Sequence, residues 1–202
     1  AKVVASDYLS AFAGGELRVN AVAAQYQIDA KDANGMSTQG RSGYVTEGST
    51  VHQLASLQAG VDLTLAAQQN VAINGALMGA GNDVLVQGSN IDIAAVTDST
   101  SHDSQYIGKN GYNRTARADE TLAGGIIAAG NNVSLLSFGK PGGDLDPASA
   151  GAQAGDINLS GANLSAAEGQ LTLAAKNDVR IQHLSVANSS LNESYSQTGN
   201  AL

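Results

Sequence analysis

The chain has 202 residues, with 24 glycines, 2 prolines, no cysteine, no tryptophan and 4 % aromatics; so few large side chains suit an interior in which stacked backbones run close together more than an ordinary globular core. Its 18 acidic residues outweigh 10 basic ones, for a formal charge of −8, and an acidic chain repels phosphate backbones, which speaks against nucleic acid as a partner. The lack of cysteine excludes disulfides and thiolate metal sites, and no apolar run approaches the roughly 20 residues of a transmembrane segment.

The first residues, Ala1 to Asp7, lack the long apolar stretch of a signal peptide, and the chain reads as an internal piece of something longer. Two textures then alternate. A polar segment of about residues 25–56, with Asn34-Gly35 near its middle, is followed from Gly60 to Ala95 by apolar-x-apolar pairs: Leu63/Leu65, Val71/Ile73, Val84/Val86 and Ile91/Ile93. Period two places both members of a pair on one face of a strand. Pairs of the same kind return after about twenty residues, a solenoid spacing. A second polar segment, about 97–121, carries Lys109-Asn110-Gly111, a sequence able to turn a hairpin. Val133/Leu135 resume the pairs, residues 138–153 with Pro141 and Pro147 form a loop insertion, and Ile157/Leu159, Leu171/Leu173 and Val179/Ile181 complete the set before a polar end at 188–202.

The repetition extends to whole segments. Leu63-Thr64-Leu65-Ala66-Ala67 recurs as Leu171-Thr172-Leu173-Ala174-Ala175. Apolar positions at offsets 0, 2, 5 and 7 recur from Val71, Ile157 and Val179, as two short strands around a tight corner would produce. Gly and Asn punctuate the pairs, at Gly60, Asn70, Gly75, Gly81-Asn82, Gly88, Asn90, Gly130, Gly155, Gly161, Gly169 and Asn177. Both tolerate the backbone of a corner, and asparagines at matching corners can stack into an amide ladder. Frequent glycine and a period of two exclude helices. An antiparallel sandwich accounts for short strands but not for the twenty-residue return of submotifs. The expected fold is all-β: a parallel β-helix, or solenoid, with extended or hairpin excursions from its coils. Residues 1–202 form one repeat segment, with excursions at about 25–56, 97–121 and 188–202. Ile73 and Val179 are both assigned to the interior, so aspartate at either is expected to unfold adjacent coils.

No catalytic, metal or cofactor site is expected. His52, His102 and His183 lack ligand spacing. The close acidic pairs, Asp144/Asp146 and Asp119/Glu120, fall in loop or excursion sequence. The stretch from Met78 through Gly79-Ala80-Gly81-Asn82-Asp83 to Val86 resembles a single calcium-binding nonapeptide, but lacks the first glycine and a tandem copy, and reads as a Gly-Asn corner before a strand. Tyr26, Tyr44, Tyr106 and Tyr112, with Tyr195, lie in or beside the polar segments. Tyrosine there serves partner contact and cross-strand stabilisation equally well; the first four are the candidate contact residues.

The segments Ala59-Gly60-Val61-Asp62-Leu63-Thr64-Leu65-Ala66, Ala80-Gly81-Asn82-Asp83-Val84-Leu85-Val86 and Ala129-Gly130-Asn131-Asn132-Val133-Ser134-Leu135 resemble the haemagglutinin repeat of filamentous haemagglutinin-like exoproteins of two-partner secretion. The polar excursions are similar to those of contact-dependent growth inhibition exoproteins. The resemblance implies the right hand of the β-helix and a place in a long surface stalk, secreted or at the cell surface of a Gram-negative bacterium. It implies export through an outer-membrane transporter and a role in adhesion, or in presenting or delivering a toxin in cell contact, with a target-cell receptor or glycan as partner. Two alternatives stand beside this structural role: excursions that form a receptor- or glycan-binding module, and a β-helical polysaccharide-degrading enzyme, which would need clustered carboxylates on one face.

Overall fold

The computed structural model describes residues 1–31, 42–139 and 155–197; the proline-bearing insertion lies almost wholly outside these, as do Asn34-Gly35 and Asp144/Asp146. The described residues form strands and no helices, and fall into two compact units. Unit 1 comprises Ala1–Val22, His52–Val96 and Leu122–Leu184, and unit 2 comprises Ala23–Val51, Thr97–Thr121 and Ser185–Leu202.

Unit 1 is a parallel β-helix of five coils, each contributing one strand to each of three sheets. In chain order the coils are β1 (Lys2–Ala5), β2 (Leu9–Ala13) and β3 (Leu17–Asn20); β6 (Ala55–Ala59), β7 (Leu63–Ala67) and β8 (Val71–Asn74); β9 (Ala76–Ala80), β10 (Val84–Gly88) and β11 (Ile91–Ala94); β14 (Ile126–Ala129), β15 (Val133–Ser137) and β16 (Ile157–Ser160); and β17 (Asn163–Ala166), β18 (Leu171–Ala175) and β19 (Val179–Gln182). Every pairing between neighbouring coils is parallel. The apolar pairs meet in register: Leu63 faces Val84, Val84 faces Val133 and Val133 faces Leu171. The twin Leu-Thr-Leu-Ala-Ala segments therefore occupy one sheet, three coils apart.

The interior follows from this register. Leu63 and Leu65, Val84 and Val86, and Val133 and Leu135 form one buried column set; Val71 and Ile73, Ile91 and Ile93, and Ile157 and Leu159 form another. The third sheet supplies Ala55, Ala76, Met78 and Ile127. Among the described residues the two end coils have a neighbour on one side only. Val179 is 42 % exposed and Ile181 71 %, which corrects the assignment of Val179 to a closed interior. The second half of the pattern that starts at Val179, Leu184 and Val186, forms no strand.

The corners are tied by polar ladders. In coils two to five the residue just before each inward pair of the sheets containing β7 and β8 is Asp, Asn or Gln. At the corner entering the sheet of β7, β10 and β15, Asn82 Nδ2 and the Asp83 amide donate to Asp62 Oδ1 at 2.8 and 3.1 Å. The amide and Nδ2 of Asn132 donate to Asp83 Oδ1 at 2.9 and 3.0 Å, and the Gln170 amide donates to Asn132 Oδ1 at 2.9 Å. At the next corner Asn90 Nδ2 donates to Asn70 Oδ1, and the amides of Gly155 and Asp156 donate to Asn90 Oδ1. Asp62, Asp83, Asn90 and Asn132 thus each take up a backbone N–H that the turn would otherwise strand. Asp83, in the stretch that resembles a calcium nonapeptide, serves this ladder.

Glycine has two separate duties here. Gly60, Gly81 and Gly130 stack at one corner so closely that a Cβ on Gly81 would lie 2.1 Å from the Gly60 carbonyl oxygen. Gly75 (φ +62°) and Gly161 (φ +60°) each turn the chain directly from one coil to the next with backbone in the left-handed region.

Unit 2 is a single five-stranded sheet in the order β20-β13-β12-β5-β4, from β4 (Val22–Lys31), β5 (Ser42–Gln53), β12 (Val96–Gly108), β13 (Gly111–Ala123) and β20 (Ser189–Ser196). β5 and β12 pair antiparallel, as do β13 and β20. Lys109-Asn110 form the turn between β12 and β13, a two-residue link that only antiparallel neighbours allow. Among its described residues none is buried, so this sheet has no apolar core of its own.

Candidate functional site

Without a core, unit 2 relies on pairs across its strands, and alternation sorts these onto two faces. Tyr44 stands opposite Gln105 and Gly43 opposite Tyr106, so Tyr44 and Tyr106 lie on opposite faces. On the Tyr44 face, Arg114 makes a two-point pair with Asp103, Nε to Oδ1 at 3.1 Å and Nη2 to Oδ2 at 2.9 Å. The Tyr44 hydroxyl donates to the same Asp103 at 3.2 Å. Tyr112 is directly opposite Tyr195, their rings stacked with centroids 6.1 Å apart. On the other face, Glu47 meets His102 Nδ1 at 3.0 Å and Ser104 meets its Nε2 at 3.1 Å.

The four candidate tyrosines are therefore not one cluster. Tyr44 is engaged by Asp103, and Tyr112 by Tyr195. Tyr106 is half-buried on the opposite face. Tyr26 is 54 % exposed and lines a shallow depression with Glu47, Ser49, Thr100, His102 and Arg117. Of the acidic pair Asp119/Glu120, Asp119 binds Arg117, while Glu120 Oε2 accepts the Ala187 amide at 2.8 Å. His183 is exposed. The described residues hold no group of three or more His, Asp or Glu arranged to bind a metal.

The sequence reading missed Asp103 and Arg114, because a salt bridge between strands needs the register before it becomes visible. Arg114 donors hold the Asp103 carboxyl below the usual carboxylate range; partial burial opposes this, while the Tyr44 hydroxyl and the Arg114 charge reinforce it. Asp156 in unit 1 is also held low: burial alone would raise it, but Asn177 Nδ2, Arg180 and the Asp178 amide together outweigh that effect. A depressed folded pKa contributes stability that is present above the unfolded value, about 3.9, and is lost as pH falls through the folded value. Acidification from pH 5 to 3 is therefore expected to loosen the sheet of unit 2. Hydrogen exchange of the β5, β12 and β13 amides checks this. Asp103→Asn should speed exchange at pH 6 and flatten the acid dependence; an unchanged acid limb in that variant would remove Asp103 from the explanation.

The family model for the hemagglutinin repeat matches residues 36–116 and, a second time, residues 107–201. The chain belongs to the hemagglutinin repeat family. No curated protein and no solved structure matches it significantly. The chain is a structural repeat of a secreted or surface-exposed, adhesin-like protein. In this chain each hemagglutinin repeat spans two coils: the first runs from ahead of β5 through β6–β11 and β12 into β13, and the second from the end of β12 through β13 and β14–β19 past β20. Within each repeat the two coils are joined at a left-handed glycine, Gly75 or Gly161. Between repeats the chain makes its excursion, always after a strand of the sheet containing β3, β11 and β19.

Proposed function

We propose that this chain is a shaft segment of a Gram-negative exoprotein exported through an outer-membrane partner of the two-partner type, serving adhesion or the presentation or delivery of a toxin in cell contact. The observation that carries this reading is the one-directional stacking of five coils on shared inner columns. Such stacking adds about 4.8 Å of reach per coil, the spacing between paired strands, and any number of further repeats extends it without a new core.

Unit 2 is the binding module in this proposal, directed at a receptor or glycan on the target cell. A sheet with no buried residue among those described adds little to the stability of the shaft, and Tyr26 offers an exposed ring beside polar partners, a combination suited to sugar and protein surfaces. Tyr44, Tyr106 and Tyr112 are further contact candidates. Deletion of residues 97–121 tests the division of labour, since Gly75 shows that this corner closes with one residue. Attachment to target cells should be lost while the far-UV spectrum and melting of the coils persist. Full attachment by the deletion variant would defeat the module reading and leave the shaft intact.

A further inference from the structure

The excursions obey the same period as the coils. In unit 1, register carries Ser56 through Leu77 to Ile126, 70 residues on, and Ile91 through Ile157 to Val179, 88 residues on. These shifts carry the returning strand β5 onto β13, and the outgoing strand β12 onto β20. The pairing is then identical in the two repeats. Gly48 stands opposite Ser101, and the equivalent Ala118 stands opposite Ser189; Tyr44 stands opposite Gln105, and the equivalent Arg114 opposite Glu193. The sheet of unit 2 therefore grows in constant register, by one outgoing and one returning strand per hemagglutinin repeat.

Within this order an outgoing strand has a returning strand on each side: β12 lies between β5 and β13. Among the described residues β20 has only β13, so its second edge lacks the returning strand that period assigns to it. We infer that the free edge of β20 is a strand-addition site whose occupant is the returning strand of a further hemagglutinin repeat, an extended segment of the β13 kind. The inference rests on the array reading above and adds that the excursion sheet is continuous from repeat to repeat.

Backbone direction gives the site its geometry. The Gln197 amide donates to the Asn110 carbonyl at 2.7 Å, so N–H groups at 197, 195, 193 and 191 point toward β13. Alternation then turns those of Ser190, Asn192, Ser194 and Ser196 to the open edge. That row of amides is a template for one more strand. It also allows a clean perturbation: proline at 194 removes an outward N–H and leaves the β13 ladder its donors, a position that edge strands accept.

The experiment adds a synthetic peptide of residues 111–123, the β13 sequence, to the full chain and follows amide exchange. The expected result is saturable binding with slowed exchange at Ser190, Asn192 and Ser194, and at least a tenfold weaker affinity for Ser194→Pro. Two further peptides, N-methylated at alternate sets of amides, make the test independent of how the proline variant folds: one set should bind and the other fail. No binding, binding untouched by Ser194→Pro, or equal behaviour of the two methylated peptides would overturn the inference. Any of these failures leaves the shaft reading standing, because that reading is decided by the coils of unit 1.

Discussion

Ile73→Asp is expected to abolish the cooperative melting of unit 1. Ile73 is fully buried in β8, between Val19 of β3 and Ile93 of β11. Losing the packing of a buried isoleucine costs about 2–5 kcal/mol, and an unpaired carboxyl in the same place adds a desolvation penalty of about 1–3 kcal/mol even when it takes up a proton. Together these rival the roughly 5–15 kcal/mol by which a domain is stable. Val179→Asp is the informative companion. Both residues belong to the same sheet and inner column set, yet Val179 lies in the last coil and is 42 % exposed. Its substitution is expected to cost about 1 kcal/mol, the typical size for a partly exposed position. Equal losses of thermal stability in the two variants, followed by circular dichroism, would contradict the order of coils.

Gly81→Val carries the second large effect. The stacked corner brings the Gly60 carbonyl oxygen to 2.1 Å from where a Cβ would stand, a distance at which the backbone itself has to move. Overpacking of this kind costs about 1–3 kcal/mol, occasionally more, and here the displacement passes along the column to Gly130, whose own Cβ would meet the Gly81 oxygen at 2.0 Å. Gly14→Ala is the control, since nothing lies within 4 Å of its added Cβ; it should change stability by no more than about 0.5 kcal/mol. Chemical denaturation of both variants checks the contrast, and a Gly81 variant as stable as the Gly14 variant would refute the close stacking.

The coils were legible because their signals are local and periodic. Leu63 to Val84 and Val71 to Ile91 were readable as neighbours from spacing alone, and they pair in register. The amide ladder was readable in kind, from Asn70 and Asn90, but the carboxylates Asp62, Asp83 and Asp156 belong to it as well. Their signal was the position just ahead of the apolar pairs of two sheets, which holds Asp, Asn or, once, Gln170. What could not be read was the environment that comes from coil order. Val179 and Ile73 have the same pattern in sequence and different burial, because burial depends on whether another coil covers the position. The excursions resisted for a related reason. Polar strands have no inner face to betray their register, so the Asp103–Arg114 pair and the Tyr112–Tyr195 stack emerged only once the antiparallel pairing was known.

Parallel, in-register stacking of the coils is tested most directly by a distance between the twin segments. Thr64 and Thr172 occupy equivalent outward positions in one sheet, linked through Leu85 and Ser134. The chain has no cysteine, so nitroxide labels at Thr64→Cys and Thr172→Cys report this pair alone. Three steps of about 4.8 Å place the two backbones about 14 Å apart, and a narrow distribution near that value, broadened by the label arms, is the expected result. A mean beyond about 25 Å, more than five such strand spacings, would contradict the stacked-coil architecture.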